Sequence, residues 1–180
     1  MASPISCLSI LIIPLLVTSL FYDVSNADQA LVEKVCKKSM DYNFCRQTLL
    51  SDPEGLTNVL YKLGLVSTDV SLNIISDVIS GEIPNALAGV TDIFVRTRVK
   101  ECQTDIDDLY TEMKLAYNAA GTQSYAEETT HLTSAQQKIT VCDKRFESLP
   151  THQSPISSST SKITKLINIS SVIVSMITSS

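Results

Sequence analysis

Apolar residues recur along most of this chain at steps of three, four and seven, the spacing that gathers side chains onto one face of an α-helix. From Leu56 to about Ser80, the set Leu56, Leu60, Leu63, Val70, Ile74 and Val78 forms one such stripe, with Pro53 and Gly55 ahead of it. Gly81 and Pro84 mark a boundary, after which a second helix continues to Ala120. Within it Cys102, Ile106, Leu109, Met113 and Ala116 alternate steps of four and three, a packing seam that requires a partner helix. Gly121 suits a helix C-terminus, and Ser124 followed three places later by Glu127 has the form of a capping box. The returning helix carries Tyr125, Thr129, Leu132, Ala135, Ile139, Cys142 and Phe146 on one face. After a connection rich in Pro, Ser and Thr, residues 149–160, a last helix from Ser161 is apolar over most of its surface and reads as the closing element of a bundle. No alternating stretch is long enough to argue for a strand, so the predicted class is all-α.

The ends of the chain change this picture. Leu8 to Tyr22 is almost wholly apolar, and Ser25-Asn26-Ala27 supplies the small residues of a cleavage site, so residues 1–27 are expected to be a signal peptide. The run is too short for an ordinary membrane-spanning helix, and no membrane association is expected of the mature form. Lys162, Lys165 and Asn168 interrupt the C-terminal apolar helix, which argues against a lipid-anchor signal there. With a formal net charge of −5 and scattered Lys and Arg, the chain offers no phosphate-tracking surface, which excludes nucleic acid as a partner.

Of five cysteines, Cys7 falls in the leader. The other four, Cys36, Cys45, Cys102 and Cys142, are an even number in an oxidising compartment and imply two disulfides, with three pairings open. If Cys102 pairs with Cys142, the loop midpoint falls at the Gly121-Thr122 turn, so two antiparallel helices leaving that turn would carry both cysteines side by side. The same test on Cys36 and Cys45 places a midpoint between Met40 and Asp41, in a polar stretch suited to a second, shorter hairpin.

These residues resemble the plant invertase and pectin methylesterase inhibitor family. The resemblance rests on Cys36 and Cys45 followed by Thr48-Leu49-Leu50-Ser51-Asp52-Pro53, and on Cys102 and Cys142 within Glu101-Cys102 to Leu109-Tyr110 and Val141-Cys142-Asp143. A third element is Ser154-Pro155 leading into the apolar last helix. It implies an up-down-up-down four-helix bundle over residues 56–180, preceded by an N-terminal helical hairpin over 28–55, with disulfides Cys36 to Cys45 and Cys102 to Cys142. It also implies a secreted protein of the apoplast or vacuole that inhibits by binding stoichiometrically over the active site of a pectin methylesterase or an acid invertase. Such a chain needs no cofactor, and exists as a monomer or as a dimer that exchanges its hairpins. Family invertase inhibitors can place Pro-Lys-Phe at the turn before the third bundle helix. The corresponding stretch here, Gly121 to Glu128, has Gln123-Ser124-Tyr125 instead, so the aromatic is kept and the cation is lost. Gln123, Ser124, Tyr125, Glu127 and Glu128 are the candidate target-binding residues, Tyr125 being either an interface anchor or part of the core.

Catalytic chemistry has little support. His131 and His152 are the only histidines, bridged cysteines cannot serve as nucleophiles, and no Gly-x-Ser-x-Gly elbow, His-Glu-x-x-His helix or phosphate-cradling glycine loop occurs. Asp105, Asp107 and Asp108 diverge around a helix and read as a solvated face rather than a metal site. Asn168-Ile169-Ser170 is an N-glycosylation sequon set in an apolar helix, where a glycan would conflict with packing unless Asn168 faces solvent. The alternative to an inhibitor is a secreted wall protein that keeps this scaffold for non-inhibitory binding or structural support.

Overall fold

A computed structural model describes residues 29–179; the expected leader, residues 1–27, lies outside the described residues. Seven helices follow one another, and no strand occurs among the described residues. They are α1 (residues 29–36), α2 (Tyr42–Ser51), α3 (Leu60–Asp77), α4 (Ile83–Gly89), α5 (Ile93–Gly121), α6 (Tyr125–Glu147) and α7 (Ser157–Thr178).

The first two helices make the predicted hairpin, stapled by Cys36–Cys45 with the Cα atoms 5.4 Å apart. Asp41 opens α2, its carboxylate accepting the Phe44 N–H at 3.0 Å. The hairpin lies against the bundle rather than standing free of it. Val32, Val35, Leu49 and the buried Cys36–Cys45 bridge share a core with Leu63 of α3 and Ile169, Ile173 and Met176 of α7. Two polar contacts from α7 fix its tip: Lys165 donates to Asp41 Oδ2 at 2.8 Å, and the Met40 N–H donates to Asn168 Oδ1 at 2.8 Å. The chain leaves α2 through a 3₁₀ turn, Pro53–Gly55, where a Cβ on Gly55 would stand 1.7 Å from the Leu49 carbonyl oxygen. Only glycine fits there.

The bundle itself runs up, down, up, down. Its first member is α3 and α4 together, continuous through one π turn, Val78–Glu82. Gly81 and Pro84 therefore do not separate two helices as the sequence suggests. In the π turn the Ile83 N–H reaches back five residues to the Val78 carbonyl, and this wider ring accommodates Pro84, which has no N–H to give and whose ring would crowd a regular α turn. The break comes later, at Val90, which is extended, and Asp92 restarts the chain as α5 by accepting the N–H groups of Phe94 and Val95.

The apolar stripe on α3 is also displaced from its expected course. Leu63, Ile75 and Val78 are buried, whereas Val70 and Ile74 lie at the flank and Leu56, outside the helix, is 48% exposed. The buried line instead includes Ser67, Thr68 and Ser71. Their hydroxyls are satisfied inside the bundle, Thr68 donating to Gly64 O and Ser71 to Ser67 O, and Ser67 bonding Ser170 of α7 at 2.8 Å. Small hydroxylated side chains, with Gly64 beneath Ile173, let α3 and α7 approach closely without an unpaired polar group. The α3–α4 helix is long and apolar enough to cross a membrane, but Leu63, Ile75, Val78 and Ile83 are spent on the protein core.

The α5–α6 hairpin matches its sequence pattern closely. Cys102, Ile106, Leu109, Met113 and Ala116 face Leu132, Ala135, Ile139, Cys142 and Phe146, all of them buried, in the main core that α7 closes with Ile163, Ile167 and Val174. Cys102 and Cys142 are bonded, with Cα atoms 4.6 Å apart.

Candidate functional site

The turn between α5 and α6 is built by a hydrogen-bond pair at the end of α5. The Ser124 N–H donates to Ala119 O at 2.8 Å and the Gln123 N–H to Ala120 O at 3.0 Å, the two bonds of a Schellman motif. Gln123 takes the left-handed conformation, φ 56°, that this motif usually assigns to glycine. The helix ends at Gly121 as the sequence suggests, with the left-handed reversal itself two residues on at Gln123. The expected capping box, by contrast, does not form. Its second half needs a free Ser124 N–H for Glu127, and that N–H is committed to Ala119; the Ser124 hydroxyl instead accepts from Thr122 Oγ1 at 3.1 Å.

The five candidate contact residues separate by position. Gln123 and Glu127 are exposed, Ser124 is half-buried, and Tyr125 is half-buried with its ring packed on the main core. Glu128 departs from the expectation of a surface contact. It lies on the same stripe as Tyr125 and Leu132, and only 1% of it is exposed. Burial without a cationic neighbour disfavours its ionised form and pushes its pKa up to about 7. The surface available at this end is therefore Gln123, Ser124, the outer edge of Tyr125, and Glu127.

A ladder of polar contacts runs from this end along the α5–α6 face. His131 Nδ1 meets Glu112 at 2.8 Å, and Lys138 meets Asp108 at 2.6 Å. Arg145 grips Asp105 with Nε at 2.6 Å and Nη2 at 3.1 Å, and holds Glu101 at 3.0 Å. Asp105 is consequently 8% exposed and not part of a solvated face, while Asp107 is exposed. The Asp105 hydrogen bonds raise the pKa of Arg145, and the Asp108 hydrogen bond raises that of Lys138. Sequence reasoning missed these pairs. The signal was present, because the mirror about Thr122 that matches Cys102 to Cys142 also brings 101 within two residues of 145, 108 within two of 138 and 112 within one of 131, near enough for long side chains to meet.

The histidines sit far apart. His131 lies near the turn end of α6, and His152 lies in the α6–α7 connection, roughly 25 Å away along the helix axis. Its N–H is tied to Phe146 O, and Arg98 clasps the neighbouring Ser148 and Pro150 carbonyls. The four cysteines of the described residues are all bridged, and no group of three His, Cys, Asp or Glu side chains able to hold a metal ion occurs among the described residues. Asn168 is half-buried and accepts the Met40 N–H, while Ser170, the third residue of its sequon, is fully buried.

The architecture is that of a two-disulfide helical bundle with an N-terminal hairpin docked on its side and Gln123 and Glu127 exposed at the α5–α6 turn. A family model described as plant invertase/pectin methylesterase inhibitor matches residues 30–173, and the chain belongs to that family. Comparison with curated proteins gives no match. Among solved structures, a mutant form of a pectin methylesterase inhibitor from Arabidopsis superposes with a TM-score of 0.68 at 15% identity, over 79% of this chain and 93% of that one. A pectin methylesterase inhibitor from Arabidopsis thaliana superposes with a TM-score of 0.59 at 15% identity, over 82% of this chain and 95% of that one.

Proposed function

We propose that the protein is a secreted inhibitor that binds stoichiometrically over the active site of a cell-wall carbohydrate-active enzyme, with pectin methylesterase as the first target to assay. The family match over residues 30–173 carries this reading. Inhibition by occlusion asks for a rigid scaffold, and two disulfides with a continuous core supply one. Gln123, Ser124, the edge of Tyr125 and Glu127 form the contact strip, on a turn whose backbone is fixed by the bonds to Ala119 and Ala120. Acid invertase is the second target, disfavoured because the turn has no cation where family invertase inhibitors can carry the Lys of Pro-Lys-Phe. The chain contributes no chemistry of its own and requires no cofactor.

Titration of the oxidised protein into assays of pectin methylesterase and acid invertase tests this. Loss of pectin methylesterase activity with an endpoint near one equivalent is the expected result. Loss of invertase activity alone would reassign the target, and full activity of both enzymes across pH about 4 to 7 would replace inhibition by a non-inhibitory wall-protein role.

A further inference from the structure

A second surface feature lies where the hairpin joins the bundle. Two adjoining cavities of about 430 Å³ each form one groove along the outer side of α3, bounded by the Asp52-Pro53-Glu54 connection and by Tyr117 of α5. Its floor is apolar: Leu65 and Tyr61 are half-buried, Leu56 is 48% exposed and Tyr117 is 36% exposed. Large apolar side chains left in water within a concave surface are a signature of contact sites. The walls are acidic. Glu54 makes no ion pair among the described residues, Asp69 accepts only from Asn73, and Asp52 uses one oxygen to cap the 3₁₀ turn. Lys62 is the single cation lining it.

We propose that this groove binds an extended cationic segment of a partner protein, its Lys or Arg heads placed on Glu54 and Asp69 and an adjacent apolar side chain laid against Tyr117 and Leu56. The charge selects the occupant. A second copy of this chain, with a net charge of −5, would bring acid to acid, and an anionic polysaccharide or lipid surface would be repelled by the same carboxylates. The proposal goes beyond the inhibitory reading and does not rest on it, because the groove is lined by the Asp52-Pro53-Glu54 connection, α3 and Tyr117 and shares no residue with the contact strip Gln123 to Glu127.

The test uses the ¹⁵N-labelled, oxidised protein in its secreted form. It is titrated with a capped Arg-Leu-Lys-Tyr-Arg peptide and with a counterpart in which Glu replaces each cation. Saturable amide shifts confined to Leu56, Tyr61, Leu65, Asp69 and Tyr117 are expected with the cationic peptide alone. The affinity should weaken at least tenfold in the Glu54→Gln/Asp69→Asn double variant, and should fall as salt rises from about 50 to 200 mM. Both substituted positions are exposed, so the variant's unperturbed amide spectrum serves as the check on folding. Shifts spread over other acidic surfaces, equal response to the Glu peptide, undiminished binding by the double variant, or no response would each overturn the proposal.

Discussion

Glu128 offers the sharpest quantitative check on the packing at the turn end of the bundle. The residue is 1% exposed, and burial pushes its pKa up to about 7 from an ordinary 4.5. Below about pH 4.5 the group is protonated in both the folded and the unfolded chain and has no effect on stability. As pH rises from there, the unfolded chain ionises first while the folded chain holds its proton, so folding becomes less favourable by about 1.4 kcal/mol per unit. The loss ends near pH 7, where the folded group ionises too, and amounts to about 3–4 kcal/mol in all. Glu128→Gln keeps the shape and removes the ionisation. Chemical denaturation with the disulfides intact, for both proteins between pH 4 and 8, should show the variant gaining on the wild type from pH about 4.5 to 7 and holding a constant lead above. The difference isolates Glu128 from Asp41 and Asp92, whose pKa values are lowered by the Lys165 hydrogen bond and by the Val95 N–H respectively and which act in the opposite sense. A difference independent of pH would refute the burial argument.

Gly55→Ala should cost more than about 2 kcal/mol or prevent secretion, because its Cβ would meet the Leu49 carbonyl at 1.7 Å; a melting temperature within about two degrees of wild type would contradict that packing. Replacing Cys102 and Cys142 by Ala should lower stability by about 4 kcal/mol, and replacing Cys36 and Cys45 by about 3 kcal/mol, since the first bridge closes the longer loop; equilibrium denaturation gives the order. Gln123→Gly should raise stability by up to about 1 kcal/mol by relieving a left-handed conformation, while weakening inhibition in the same enzyme titration that establishes the target. Intact-mass measurement of the secreted protein should find Asn168 without a glycan, because its side chain accepts from Met40 and the sequon's Ser170 is buried against Ser67.

How far the sequence disclosed this structure varied with the kind of signal. The α5–α6 hairpin was legible because its period is unbroken and its cysteines mirror each other about the turn, so two independent features agreed. The α3 face was misplaced because Ser67, Thr68 and Ser71 count as polar by composition, yet are buried once their hydroxyls bond to backbone carbonyls and to Ser170. Gly81 and Pro84 usually stop a helix, and a single π turn cancelled both signals. At the candidate site, the turn's location was readable while its chemistry was not. Whether Ser124 caps a helix depends on where its own N–H is spent, and that was settled by the reversal at Gln123.

The same logic connects the turn to the contact surface proposed for it. A left-handed glutamine costs about 1 kcal/mol that glycine would avoid, so the fold carries a side-chain amide at the apex of the turn at the expense of stability. Such a cost is tolerable because the elements on either side are held independently. Cys102–Cys142 and the Arg145, Lys138 and His131 pairs join α5 to α6 along their length, so the turn does not have to hold the hairpin together. Released from that task, the turn can present Gln123 and the edge of Tyr125 in one fixed geometry, which limits the entropy lost when a partner binds.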